Sequence, residues 1–170
     1  MARAFVADAL DGDRDGTIER SETERVRLVV YGQSLGGFGA AVFARELAGE
    51  GIAIELLVLI DSVGWGDAVV PSNVRHVANF YQDEGWFVAG EHPLRPIDPD
   101  STTVLGEWEL EYDEPPGGEI DLGNLPWHKT AFRVAHARMD RDPRLWRRVG
   151  RLIEAACEGR DLARVADSLP

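Results

Sequence analysis

Residues 26–40 read VRLVVYGQSLGGFGA, and the fold turns on how that stretch divides. VRLVVY is short, β-branched and nearly continuous in apolar character, the composition of a strand buried on both faces. LGGFGAAVFARELAG (35–49) suits a helix, with Gly51 placed to stop it. Between them lies Gly32-Gln33-Ser34-Leu35-Gly36, a G-x-S-x-G segment that joins a buried strand to a helix. A turn that sharp is strained, so glycine is expected two places to either side of Ser34, where a Cβ would clash. Ser34 then projects from the strand tip over a helix N-terminus, where developing negative charge is favoured. The competing reading is a phosphate-binding turn, but the G-x-G-x-x-G spacing and the P-loop lysine are both missing.

Working outward, IAIELLVLI (52–60) is a second buried strand ending at Asp61, and VANFYQ (77–82) a third. Residues 85–102 are rich in Gly, Pro and Asp and read as an excursion. VLGEWELEYDE (104–114) alternates Trp108, Leu110 and Tyr112 against Glu107, Glu109 and Glu111, the period of a strand with one face in water. PPGG (115–118) is a turn, and 125–142 is irregular, with room for one more short strand. From Asp142 a helix begins, with Asp142 as N-cap and Pro143 in its first position. Its apolar stripe is Leu145, Trp146, Val149, Leu152, Ile153 and Ala156, with Arg144, Arg147, Arg148 and Arg151 largely toward water. ARAFVADAL (2–10) suits a short leading helix. Strands alternating with helices predict an α/β fold with a mostly parallel sheet, residues 1–170 forming a single domain.

At 170 residues the chain is long enough to bury a real core. A formal charge of −12 argues against nucleic acid, since phosphate binding needs clustered Lys and Arg. Cys157 is the only cysteine, so no intrachain disulfide can form. No apolar run approaches the roughly 20 residues of a membrane span. MARAFVADAL has no basic segment leading into an apolar one, so no signal peptide is expected and the protein reads as soluble.

A second motif precedes the first. Residues 11–22, DGDRDGTIERSE, place Asp11, Asp13, Asp15, Gly16 and Glu22 at every fixed position of D-x-[DN]-x-[DN]-G-x5-E. Calcium wants six to eight oxygens at about 2.3–2.6 Å, several of them anionic. Alternate Asp side chains can converge on one point, and Gly16 permits the backbone reversal that follows. Thr17 then offers its carbonyl oxygen, Glu19 a water-bridged contact and Glu22 a bidentate carboxylate. The stretch resembles an EF-hand loop, and the resemblance implies bound Ca²⁺. It departs in its flank, because the chain becomes strand by Val26 where an EF-hand has a long exiting helix. A structural clip is therefore expected rather than a sensor. The bland alternative is a solvated acidic turn.

From Val26 onward the chain resembles the α/β-hydrolase family. YGQSLGG, LLVLIDSVG, PSNVRHVANFYQ and VAHARMDRDPRLW look like a bacterial esterase or thioesterase-type subgroup. The resemblance implies a partial α/β-hydrolase fold and the chain order nucleophile, acid, base. It assigns Ser34 as nucleophile, Asp61 as acid, His136 as base and the Leu35 N–H as oxyanion donor. Asp67 and Asp83 are weaker acids, and His128 competes with His136. His76, leading into a strand, and His92, in the excursion, are the remaining histidines. His136 is preferred because a short loop separates it from the last amphipathic helix. A second oxyanion donor, and the strands flanking the nucleophile strand on its other side, have no counterpart in the residues before Val26. A truncated or reduced hydrolase is therefore expected, with its uncovered strand edge available for self-association. The expected activity is hydrolysis of a carboxylic ester or thioester, on a small acyl substrate, beside a structural calcium. The alternative is a non-catalytic calcium-binding module on the same scaffold.

Overall fold

The computed structural model describes residues 2–23, 25–83, 90–112 and 134–169. The order begins with helices α1 (Ala2–Leu10) and α2 (Arg20–Thr23), strand β1 (Val29–Gln33), helix α3 (Leu35–Ala48) and strand β2 (Ile54–Ile60). It continues with β3 (Val69–Val70), β4 (Val74–Tyr81), β5 (Arg95–Pro96) and β6 (Thr103–Glu109). Three helices close it: α4 (Val134–Asp140), α5 (Pro143–Glu158) and α6 (Leu162–Asp167). Strands β1-β2-β4-β6 form one four-stranded sheet in which every pairing is parallel. This is an α/β fold, as the alternation of elements predicts.

The continuous apolar run of β2 has a direct physical cause. Leu57 and Leu59 join the core on one sheet face with Ala40, Ala44 and Leu47 of α3. Leu56, Val58 and Ile60 join the core on the other, against Leu145, Val149 and Leu152 of α5. With both faces covered, no position from Leu56 to Ile60 can be polar without losing about 1.5–3 kcal/mol of side-chain burial, whereas Glu55, near the strand's start, is only partly buried. Helix α5 starts as expected, the Asp142 carboxylate accepting the Arg144 N–H at 2.8 Å, and ends at Gly159 with φ 67°. Helix α3 ends at Ala48, three residues before Gly51 takes φ 72° and Ile52 N–H closes on Leu47 O.

Several expectations shift. The first strand begins at Val29 rather than Val26 and runs through Gly32-Gln33 into the turn. The expected irregular segment at 125–142 contains a helix, α4, and His136 lies within it, with a short connection before α5. Helix α5 is not the last, since α6 follows it. Glu107 does not face water: it is half-buried and accepts the Leu94 N–H at 3.0 Å. The excursion carries one ordered ladder, in which β5 pairs in parallel with β3. His128 and the PPGG turn lie outside the described residues.

Candidate active site

Parallel pairing sets the site. Gln33 stands opposite Ile60 in the β1-β2 register, so Ser34 and Asp61 leave the carboxyl ends of neighbouring strands one residue later. The Ser34 N–H donates to Ile60 O at 2.9 Å, and the Asp61 N–H to Phe80 O at 2.7 Å. Ligand crevices in parallel α/β sheets lie at these carboxyl ends.

Ser34 has φ 56° and ψ −129°, a region costly for any residue but glycine, at about 1–3 kcal/mol. The turn holds it there. Its carbonyl accepts from Gly37 N–H at 2.9 Å, and from Phe38 and Val63 N–H at 3.3 Å. Although Ser34 is the N-cap of α3, its side chain makes no capping bond. A Cβ on Gly32 would lie 2.1 Å from the Gly36 carbonyl oxygen, so a residue with a side chain cannot close this turn. The symmetric expectation fails at Gly36, where a Cβ meets nothing within 4 Å. The steric demand acts on the strand side alone. Leu35 opens α3, where helix N–H groups have no intrahelical partner. Its side chain is 72% exposed, as is Trp65 at 97%, in the loop where Gly64 packs on Phe38.

Asp61 is fully buried, with φ 42°. One carboxylate oxygen lies 2.5 Å from His136 Nδ1. The Gln82 amide reaches both oxygens, at 3.3 and 3.2 Å. His136 is half-buried on α4, so a helix 75 residues away in sequence delivers the imidazole to the end of β2. The alternatives fall elsewhere. His76 Nδ1 sits 3.0 Å from Glu55 O, and His92 stacks on Tyr81 with ring centroids 4.1 Å apart. Asp83 is exposed. Asp67 is fully buried, accepts from Ser62 Oγ and faces Glu91. Burial, then the neighbouring Glu91 carboxyl, push it up to about 6.

Gln82 and Glu91 are site neighbours that sequence reasoning missed, while Asp67, expected only as an alternative acid to Asp61, pairs with Glu91 instead. Gln82 was findable as the residue leaving the third buried strand at its carboxyl end.

The acidic loop lies apart, between α1 and α2. Carboxylate oxygens of Asp11, Asp13 and Asp15 all lie within 4.8 Å of one another. Gly16 has φ 85°, so it makes the reversal there that a side chain would strain. Glu22 folds back over the loop, accepting from Gly12 N–H at 2.6 Å and Glu19 N–H at 3.0 Å. Those backbone bonds hold its carboxyl below the usual range. Ile18 packs on the core that contains Leu10. The Asp15 N–H bonds both Asp11 and Asp13, and the Thr17 N–H bonds Asp15. Glu19 accepts from Ser21 Oγ at 3.3 Å. Asp11, Asp13 and Asp15 thus bring together hard, anionic oxygens of the kind that can hold a metal ion.

The fold and site define an α/β protein in which a strained serine turn and a buried aspartate held by a half-buried histidine leave neighbouring strands. Comparison with family models, with curated proteins and with solved structures returned no match for the chain.

Proposed function

We propose that the protein is a serine hydrolase acting on a carboxylic ester or thioester, built on a partial α/β-hydrolase fold. The observation that carries this reading is the His136–Asp61 contact at the end of β2, one strand away from Ser34 in its strained turn. In this reading His136 takes the Ser34 proton as Oγ attacks the acyl carbon. Asp61 accepts the Nδ1–H, which fixes the tautomer and stabilises the imidazolium. The Leu35 N–H, at the head of α3, donates to the oxyanion. His136 then returns the proton to the leaving alcohol or thiol, and water repeats the cycle on the acyl-enzyme. The exposed apolar side chains of Leu35 and Trp65 suit a small acyl group over a charged one.

Among the described residues no strand precedes β1, and this reading names one oxyanion donor, the Leu35 N–H. Losing one such donor costs about 10²–10³ in turnover, and the proposed enzyme is therefore slow. The test is hydrolysis of p-nitrophenyl acetate and butyrate. Ser34→Ala and His136→Ala should each remove it, because triad members act as a unit. Undiminished turnover in Ser34→Ala would end this reading.

The loop at 11–22 is proposed as a structural Ca²⁺ site held by Asp11, Asp13, Asp15, Thr17, Glu19 and Glu22. Bound there, calcium would neutralise the converging carboxylates and tie α1 to the segment entering β1.

Self-association is the proposed consequence of the sheet edge. Leu28 O and Ser34 N–H point to β2, so by alternation the backbone groups of Val29, Tyr31 and Gln33 point the other way. No strand pairs with that side among the described residues. Among those residues, too, no helix is long and apolar enough to cross a membrane.

A further inference from the structure

We propose that Asp67 and Glu91 form a proton-holding clamp that positions Asp61 for its contact with His136. The inference rests on the hydrolase reading for its function, and on side-chain geometry for its existence.

The loop that leaves β2 carries Asp61 and Ser62 at one end and Gly66-Asp67-Ala68 at the other. Glu91 bridges the two ends. Its carboxylate accepts the Gly66 N–H at 3.3 Å and the Ala68 N–H at 2.7 Å, while its own N–H donates to Ser62 O at 3.1 Å. Asp67, between those two bonded amides, turns inward and is fully buried. One of its oxygens accepts from Ser62 Oγ. The other, Oδ1, is buried with no hydrogen-bond donor to meet it. Two ionised carboxylates side by side in such a place repel, and neither has a cation to itself. Arg95, on β5, stands 3.9 Å from Glu91 and is itself largely exposed. Arg45, on α3, spends a guanidinium N–H on Gly66 O at 3.0 Å. His92, beside Glu91, stacks on Tyr81, and Asp61 adds a further negative charge at the far end of the loop.

A single proton resolves the conflict. Placed on Asp67 Oδ1, it turns the orphaned acceptor into a donor, lets the neighbouring Glu91 carboxylate accept, and leaves Glu91 free to keep its backbone bonds. The opposite shifts of the two acids, Asp67 up through burial and then its bond to Glu91, Glu91 down through that same bond, put the proton on Asp67.

The clamp bears on Asp61 through packing with no slack. A Cβ on Gly90 would lie 3.1 Å from an Asp61 carboxylate oxygen, so the strap carrying Glu91 lies directly on that carboxylate. The Gly90 N–H reaches Gln82 O at 3.4 Å, and Gln82 holds Asp61 by its amide. On the other side a Cβ on Gly37 would meet Ser62 Oγ at 2.6 Å, so Ser62 cannot retreat toward α3. When Asp67 loses its proton, the repulsion therefore acts on the strap and on the loop that carries Asp61.

The sign follows from linkage. Folded Asp67 keeps its proton up to about pH 6, whereas in the unfolded chain it loses it near about 4. Between those values the folded state binds more protons, so stability falls as pH rises through the window and levels off above it.

The experiment is thermal melting of the full chain from pH 4.5 to 8, with Asp67→Asn and Glu91→Gln beside the wild type, and kcat/KM for p-nitrophenyl butyrate over the same range. The wild-type Tm should fall by several degrees across pH 4.5–6.5, and each variant should flatten that fall whatever its absolute Tm. Other groups titrating in this range contribute equally to all three proteins and cancel in the comparison. The ratio of Asp67→Asn to wild-type kcat/KM should rise two-fold or more from pH 5 to 8. The same Tm slope in both variants as in the wild type overturns the clamp. A flattened slope with a constant kcat/KM ratio leaves the pair a structural device and overturns its positioning role. A flattened slope with no Ser34-dependent turnover in any protein retains the clamp and removes the hydrolase reading.

Discussion

Gly32→Ala and Gly36→Ala, paired, test the geometry of the serine turn. The motif treats both glycines alike, and the structure does not. A Cβ at position 32 would stand 2.1 Å from the Gly36 oxygen, 2.4 Å from its carbonyl carbon and 2.7 Å from the Gly37 nitrogen. The closest of these is more than 1 Å short of ordinary contact, and all three are backbone, which no rotamer change can move. Relief requires α3 to shift away from β1, against the bonds that Gly37, Phe38 and Val63 N–H make to Ser34 O. Overpacking typically costs about 1–3 kcal/mol. With a rigid obstacle the expected loss is at the top of that range, about 3 kcal/mol. For a chain of this size that is a Tm lower by about 6–12 °C. At position 36 the same methyl enters open space within a helix. Relieving the backbone entropy of glycine there is worth up to about 1 kcal/mol, so Gly36→Ala should be neutral or slightly stabilising. Calorimetric melts of the three proteins, with urea unfolding to check that the m-value is unchanged, make the comparison. Equal losses at both positions, or a Gly32→Ala protein as stable as the wild type, would refute the one-sided steric account.

Calcium should raise the Tm of the wild type by mass action; Asp11→Ala or Glu22→Gln should abolish the rise, with Mg²⁺ a poor substitute. No binding at millimolar calcium by calorimetry would remove the site. Gln82→Leu takes away the amide that reaches both oxygens of buried Asp61, so it should cost about 1–3 kcal/mol in urea unfolding and lower kcat more than it raises KM. Asp142→Ala, which removes the α5 N-cap, should cost about 1–2 kcal/mol; a cost within error of zero would deny that capping role. Light scattering should find species above 18.7 kDa, and Tyr31→Lys on the exposed edge should shift them toward monomer.

What could be read in advance follows from where burial leaves a mark on composition. β1, β2 and β4 were visible as apolar runs because helices cover both sheet faces, and α5 because one face is apolar and the other carries arginines. The Ser34 turn was visible because its steric demand selects glycine at position 32. α4 was not visible: VAHARMD has no apolar stripe, and of its side chains Met139 is fully buried, too little to set a period. β3 and β5 are two residues each, shorter than any repeat. The acids proved hardest. Charges are ordinarily placed in water, yet Asp67 is buried and Glu91 and Glu107 half-buried because backbone N–H groups and a neighbouring amide, carboxyl or hydroxyl partner them. Such partners come from distant segments and leave no local pattern. The Asp61–His136 pair was reached through the order of residues in a resembling family, since nothing local links positions 75 residues apart.

The most direct measurement is labelling with a fluorophosphonate, followed by mass spectrometry of the modified peptide. The account predicts one adduct per chain, on Ser34, absent from Ser34→Ala and strongly slowed in both His136→Ala and Asp61→Asn. Labelling on another serine, or Ser34 labelling at an unchanged rate without His136, would contradict it.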